Sequence, residues 1–166
     1  MRVMGFVGSS GSGKTTLIAN LLPVLTQLGL RVSTAKHAHH GFDMDRPGKD
    51  SYRHREAGAE EVMVVSNGRW ALLREQRDYE DVSLQALLRR MTQVDLVLVE
   101  GFHRAAMPKI EVYRPSLQKA PLFPNESGIV AVASDALVET GELPLLSLTH
   151  MAPMADFVLS CAENLS

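Results

Sequence analysis

The amino-acid sequence predicts an α/β protein in which a mostly parallel, twisted sheet is flanked by helices. Strand-like and helix-like patterns alternate along the chain, as is typical of parallel strands joined by crossover helices. Residues 94–101 form an apolar run of the kind expected for a strand buried on both faces. In addition, the turn sequence Ser66-Asn67-Gly68 between two strand-like segments predicts an antiparallel hairpin that extends the sheet.

Residues 8–15 read G-S-S-G-S-G-K-T, a complete phosphate-binding loop between a strand-like run and a helical pattern. Glycines allow backbone N–H groups to turn toward phosphate oxygens. Lys14 supplies a charge for the β- and γ-phosphates, and Thr15 supplies a hydroxyl for Mg²⁺. The helix that begins here directs its positive end at the same anion. The loop predicts the P-loop NTPase fold and a bound nucleoside triphosphate, without indicating the reaction.

The other elements follow this loop in a regular order. Apolar residues recur at helical spacing over 17–28, and Gly29 offers a left-handed stop. Pro23 lies inside this helix, where it removes one backbone hydrogen bond, so we expect a kink rather than an early end. Then come a strand over 31–37, a short helix over 50–57, hairpin strands over 61–65 and 69–74, a helix over 82–91, the buried run, strands over 109–113 and 129–133, and a closing helix over 152–165.

Residues 109–113 alternate polar and apolar side chains between Pro108 and Pro115. This pattern is typical of an edge strand with one apolar face. Because an unprotected edge invites pairing, we expect the segment to join a second copy of the chain, together with the hairpin arm. Ile110 and Val112 would then be buried at or beside that interface.

Composition fits one domain over residues 1–166, because 45% of the residues are hydrophobic and can bury a core without disulfides or metals. A net charge of −2 with interspersed signs indicates no footprint for nucleic acid or anionic lipid. The single cysteine, Cys161, suits a reducing compartment. No signal-peptide pattern and no run near the roughly 18 apolar residues of a membrane span is present. We therefore expect a soluble, cytoplasmic protein.

An acid, Glu100, ends the buried apolar run. Ligands of parallel α/β sheets bind outside the carboxyl ends of the strands, so Glu100 is better placed than Asp95 to reach Mg²⁺ directly or through water. Glu100 is the candidate catalytic acid. The alternative is that Glu100 caps a neighbouring element, whereas Asp95, at the start of the strand, is interpreted as structural.

The densest collection of ionisable side chains lies in residues 36–50, which leave the sheet at the ligand end. It contains three histidines and three aspartates: His37, His39, His40, Asp43, Asp45 and Asp50. The histidines are either transition-metal ligands or polar residues of a loop near phosphate, and in a strand end they alternate faces and cannot all converge on one ion. Asp43 and Asp45 are candidate ligands of Mg²⁺ or its waters, and Asp50 is a candidate helix cap.

Several of these segments together resemble one known family. They are G-S-S-G-S-G-K-T-T-L at 8–17, K-H-A-H-H at 36–40, D-x-D-x-P-G-K-D-S-Y at 43–52, R-W-A-L at 69–72, V-E-G-F at 99–102 and A-V-A-S-D at 131–135. In this order they resemble the molybdopterin-guanine dinucleotide biosynthesis protein B family (MobB) over nearly the whole chain. The resemblance implies a homodimeric GTP-binding protein with weak hydrolysis. It also implies that the protein assists a separate guanylyltransferase in making the guanine dinucleotide form of the molybdopterin cofactor.

Carried over by position, the resemblance implies a set of phosphate-binding residues in the loop: Gly8, Ser9, Ser10, Gly11, Ser12, Gly13, Lys14, Thr15 and Thr16. It places Glu100 and Asp45 near Mg²⁺, beside Thr15. For the base, our candidate is Asp135, whose carboxylate can accept from the guanine N1–H and N2–H₂ groups. A turn role for Asp135 is equally consistent with the sequence.

Two other functions are kept as alternatives. One is a GTPase metallochaperone that uses His37, His39 and His40; stoichiometric metal binding by these residues would favour it. The other is a small-molecule kinase, although no motif for an acceptor hydroxyl and no arginine-bearing lid is evident. Whether molybdopterin itself contacts this chain is left open by the sequence.

Overall fold

The computed structural model describes residues 1–38, 44–75 and 83–164. It divides into two compact units, of which the first comprises residues 1–37 and 83–166 and the second residues 38–82. The strands are β1 (Arg2–Val7), β2 (Val32–Lys36), β3 (Glu61–Val65), β4 (Trp70–Arg74), β5 (Leu96–Glu100), β6 (Lys109–Tyr113), β7 (Ile129–Ser134), β8 (Leu145–Ser147) and β9 (Glu163–Asn164). The helices are α1 (Lys14–Gln27), α2 (Asp50–Glu56), α3 (Leu84–Leu88) and α4 (Met151–Cys161).

A seven-stranded sheet forms the centre of the first unit. Six strands pair in parallel in the order β2-β5-β1-β6-β7-β8, and the short β9 pairs antiparallel with β1. The predicted mostly parallel sheet with helices is confirmed. Because parallel strands end at the same edge, the turns after β1, β2, β5, β6 and β7 all leave the sheet on one side.

Apolar side chains cover both faces of this sheet. One face packs against α1 and α4, and its buried residues include Met4, Phe6, Leu21, Leu25, Ile110, Val112 and Val158. The other packs against α3 and includes Val3, Val97, Val99, Leu84, Leu88 and Met107. Among the described parts of the chain, no helix is long and apolar enough to cross a lipid bilayer.

The first helix, α1, continues through Pro23 to Gln27. An early end at the proline is therefore excluded. The predicted stop is confirmed: Gly29 has a φ of +81° and donates its N–H to the Thr26 carbonyl oxygen at 3.0 Å. This left-handed residue turns the chain into β2.

The expectation for residues 109–113 is wrong. β6 is an interior strand that pairs with β1 on one side and β7 on the other, so it offers no free edge to a second copy of the chain. Ile110 and Val112 are fully buried in the core of the first unit. Replacing Ile110 with lysine would place a charge in that core. The substitution would therefore destabilise the fold and could not test assembly.

The polar side chains of β6 are buried as well, although their alternation with apolar residues predicted an exposed face. Lys109 Nζ donates to the carbonyl oxygen of His103 at 2.6 Å and pairs with Glu126 Oε1 at 3.3 Å. The Glu111 carboxylate accepts the backbone N–H groups of Leu122 and Phe123 at 2.8–3.0 Å. Burial raises the pKa of Glu111, and these N–H donors oppose the rise. The segment after β6 folds back over this face and satisfies both charges.

The second unit contains α2 and the predicted hairpin, which is confirmed with β3 and β4 in antiparallel pairing. It forms a separate two-stranded sheet, so the expected extension of the parallel sheet is wrong. Neither Asn67 nor Gly68 has a positive φ, so the turn is of a different type from the one an Asn-Gly pair favours. Asp50 is the first residue of α2, and no side chain caps the helix there.

Candidate nucleotide-binding site

Residues 8–13 connect the carboxyl end of β1 to α1, and three of them have positive φ angles: Gly8 (+136°), Gly11 (+80°) and Gly13 (+100°). At Gly8, an added Cβ would lie 2.3 Å from the Val112 carbonyl oxygen of β6. The loop therefore passes too close to the neighbouring strand for any side chain at this position. A Cβ added at Gly11 would have no such neighbour within 4 Å, so only the positive φ angle favours glycine there.

Lys14, the first residue of α1, folds back over the loop. Its Nζ donates to the carbonyl oxygens of Gly8 at 2.8 Å and Ser9 at 2.9 Å. Burial lowers the pKa of Lys14, the Glu100 carboxylate opposes this effect, and the Lys36 ammonium adds to it. These two hydrogen bonds hold the ammonium beside residues 8 and 9 of the loop.

The remaining loop residues differ in exposure. Ser10, Gly11, Thr15 and Thr16 are exposed, Ser9, Gly13 and Lys14 are intermediate, and Gly8 and Ser12 are buried. The Ser12 hydroxyl makes no hydrogen bond to the described residues. Its carbonyl oxygen accepts from Arg114 Nε at 2.8 Å, so Ser12 faces the interior and the exposed residues line the accessible side.

Glu100, at the carboxyl end of β5, lies beside the loop as predicted. The Thr15 hydroxyl donates to Glu100 Oε1 at 2.8 Å and to Oε2 at 3.0 Å. Lys36 Nζ lies 3.1 Å from Glu100 Oε1 and donates to Thr15 Oγ1 at 3.2 Å. Asp95 lies at the opposite end of β5, where it accepts the Arg31 N–H at 2.8 Å, which lowers the pKa of Asp95.

The Thr15 and Glu100 oxygens are suited to a divalent cation. Mg²⁺ prefers oxygen ligands, and one hydroxyl with one carboxylate is a typical protein contribution beside a phosphate. A cationic group, the Lys36 ammonium, already lies against both side chains. The donor set therefore fits Mg²⁺.

Asp45, the other predicted Mg²⁺ residue, belongs to the second unit. Its Oδ1 accepts from the Ser51 hydroxyl at 2.8 Å and from the Arg46 N–H at 3.0 Å. Its Oδ2 lies 3.9 Å from Arg55 Nε. The contacts with Ser51 and Arg55 join Asp45 to α2 within this unit.

Asp135, the predicted base-reading residue, follows β7 and forms an ion pair with Arg114. Arg114 immediately follows β6 and also binds the Ser12 carbonyl oxygen. One guanidinium therefore links the phosphate loop to Asp135. Neither Arg114 nor Lys36 was predicted as a site residue from the sequence. Their positions at or just after the carboxyl ends of strands are the signal that could have identified them.

The histidine-rich segment is described only in part. The rings of His37 and Phe102 meet edge to face with centroids 5.2 Å apart. His39, His40 and Asp43 lie outside the described residues. Within the described ranges, no group of three histidine, cysteine or acidic side chains is arranged to hold a metal ion.

The glycine-rich loop between β1 and α1, in a parallel sheet with β5 beside β1, defines a protein of the P-loop NTPase fold. Comparison with known proteins identifies the family. The family model for molybdopterin guanine dinucleotide synthesis protein B (MobB) matches residues 3–135. The chain belongs to this family, and the resemblance found in the sequence is confirmed.

Relatives in several bacteria agree with this assignment. The chain is 41% identical to the molybdopterin-guanine dinucleotide biosynthesis adapter protein of Escherichia coli (strain K12), over 98% of this chain and 94% of that protein. It is 40% identical to the adapter protein of the same name from Haemophilus influenzae, over 94% and 86% of the two chains. The crystal structure of Bacillus subtilis MobB superposes with a TM-score of 0.76 at 26% identity and covers 99% of this chain and 100% of that one.

Replacing Lys14 or Thr15 with alanine is expected to weaken nucleotide binding without unfolding the first unit. Both side chains bond to the loop or to Glu100 and neither belongs to the apolar core. A hydrogen bond to a charged group contributes about 1.5–3 kcal/mol, so the affinity should fall at least about tenfold. Calorimetry measures the affinity and thermal melting the fold. Lys119→Ala, at an exposed position, is the control, and unchanged affinity in both loop variants would contradict the assignment.

Proposed function

We propose that this chain is a GTP-binding adapter with weak GTPase activity that assists a guanylyltransferase in making the guanine dinucleotide form of the molybdenum cofactor. Membership of the MobB family supports the accessory role. The observation that carries the proposed nucleotide binding is the contact of Thr15 with Glu100 beside the glycine-rich phosphate loop. Residues 1–166 would act as one nucleotide-binding domain, and its single cysteine suits the cytoplasm.

In this proposal the backbone N–H groups of residues 8–16 would bind the phosphates, and the Lys14 ammonium would neutralise charge on the β- and γ-phosphates. Thr15 and Glu100 would hold Mg²⁺, which would supply charge neutralisation at the phosphates. Glu100 acts as the catalytic carboxylate by orienting the attacking water. Asp45 belongs to the same proposal as a ligand of a metal-bound water, for which it would have to leave its contacts with Ser51 and Arg46.

The guanine base is assigned to the end of β7. Asp135 is exposed there, and its ion pair with Arg114 leaves one carboxylate oxygen without a hydrogen bond to the described residues. A carboxylate that accepts from N1–H and N2–H₂ selects guanine over adenine, because adenine has no donor at N1. Arg114 holds this carboxylate at a fixed position relative to the phosphate loop.

The adapter role is tested by reconstitution. Purified guanylyltransferase with molybdenum cofactor and GTP is expected to form more guanine dinucleotide when this chain is added. Lys14→Ala should reduce the increase at sub-saturating GTP, because the variant binds GTP more weakly, whereas Lys119→Ala should retain it. A Lys14→Ala protein that stimulates as well as the wild type would contradict a role for bound GTP.

Base selection is tested by comparing GTP with ATP in calorimetry. We expect GTP to bind about tenfold more tightly or better, since one good paired contact to a base edge contributes roughly 1–3 kcal/mol of discrimination. Asp135→Asn should reduce this preference. Arg114→Ala should weaken the binding of both GTP and ATP, because it also removes the hydrogen bond to the Ser12 carbonyl oxygen of the phosphate loop. Equal affinities for GTP and ATP in the wild type would refute the assignment of Asp135.

A homodimer is also part of the proposal, and the hairpin is its candidate interface. Four large apolar side chains lie on one face of the β3–β4 hairpin, because Met63 pairs with Leu72 and Val65 with Trp70. They are 44% to 67% exposed. Contiguous apolar side chains of this kind on a soluble protein mark an interaction surface. We assign this face to a second copy of the chain.

The dimer is tested by light scattering. Trp70→Lys is expected to shift the protein toward monomer at micromolar concentration, because it places a charge in the paired apolar face. GTP binding should persist, since the phosphate loop belongs to the first unit. Leu137→Lys, at an isolated and almost fully exposed position, is the matched control. A wild-type protein that is monomeric under these conditions would exclude the proposal.

A further inference from the structure

The ammonium group of Lys36 lies against the same two side chains that the proposed function assigns to Mg²⁺. Lys36 is the last residue of β2, and its Nζ lies 3.1 Å from Glu100 Oε1 and 3.2 Å from Thr15 Oγ1. The Lys36 side chain is 57% exposed, whereas that of Glu100 is only 12% exposed. Packing therefore does not force the ammonium into this place, and charge attraction to a largely buried carboxylate holds it there.

A metal ion held by these oxygens would lie close to the Lys36 ammonium. The Thr15 hydroxyl uses its single hydrogen in donating to Glu100, so its lone pairs are what it offers to Lys36. A metal ion would be held by the same hydroxyl oxygen and the same carboxylate. Two positive groups within a few ångströms repel each other, and this repulsion is weakly screened beside a buried carboxylate.

We propose that Lys36 is the resident counter-ion of Glu100 and that Mg²⁺ binding displaces it. The inference rests on the proposed function. Lys36 compensates the buried carboxylate when no metal is bound, and it weakens metal binding by the work needed to move it aside. The chain enters the second unit two residues later, at Ala38. In this role Lys36 sets the affinity of the site for the metal.

An alternative role for Lys36, as a direct ligand of the γ-phosphate, gives the opposite result on mutation. Loss of a phosphate ligand weakens Mg²⁺-GTP binding. Loss of a competing cation strengthens metal binding and increases the gain in GTP affinity that Mg²⁺ produces. The sign of the change therefore separates the two roles.

The test measures binding of Mn²⁺, as a probe for Mg²⁺, by electron paramagnetic resonance. It is carried out on the full chain with and without a non-hydrolysable GTP analogue. Lys36→Gln is expected to bind Mn²⁺ about two- to fivefold more tightly than the wild type, the range typical of a partly exposed ion pair. Lys36→Arg keeps the charge and should stay near the wild type. Lys119→Gln removes an exposed charge elsewhere and should have no effect.

Displacement itself is observed by NMR after reductive ¹³C-methylation of the lysines, with the Lys36 signal identified by its absence in Lys36→Arg. Mg²⁺ with the GTP analogue should move this signal and leave that of Lys119 unchanged. Equal or weaker Mn²⁺ binding by Lys36→Gln, or a Lys36 signal that does not respond, would overturn the inference. A wild type that binds no nucleotide would instead refute the proposed function, while the nucleotide-free Mn²⁺ titration still tests Lys36.

Discussion

The contact between the Thr15 hydroxyl and the Glu100 carboxylate is the interaction on which the candidate site depends. It joins the first turn of α1 to the end of β5, two segments 85 residues apart in the chain. Parallel pairing of β1 with β5 makes this contact possible, because it brings the ends of both strands to one edge of the sheet. Lys36 reaches the same point because β2 pairs in parallel with the other side of β5.

On the opposite side of β1, the phosphate loop depends on a close approach to β6. Gly8 lies directly against the Val112 carbonyl of β6. Arg114, the residue after β6, donates to the Ser12 carbonyl oxygen. The position of β6 is in turn supported by its buried charges, since Lys109 and Glu111 both bond to the segment that follows β6. These buried charges are tolerated because both have polar partners in the interior, as buried ionic groups require.

The two units contain different kinds of functional residue. The first unit contains the loop, Glu100, Lys36 and the ion pair that follows β6, so the chemistry assigned to the nucleotide can be explained within it. The second unit contains the segment with Asp45, which is bonded to α2, and a hairpin with an exposed apolar face. The exposed hairpin face is the surface that we propose for association with a second copy of the chain.

The sequence by itself determined the phosphate loop, the buried strand that ends at Glu100, the hairpin and the family, because these depend on local patterns: glycine spacing, an uninterrupted apolar run, a turn and motif order. It failed for β6, where alternation of polar and apolar residues is the same for an edge strand and for an interior strand whose charges are buried by a later segment. Strand order, the pairing of Arg114 with Asp135 and the position of Lys36 were decided only by the tertiary structure. Each of these joins residues distant in the chain, and their proximity follows from strand pairing, which no local pattern encodes.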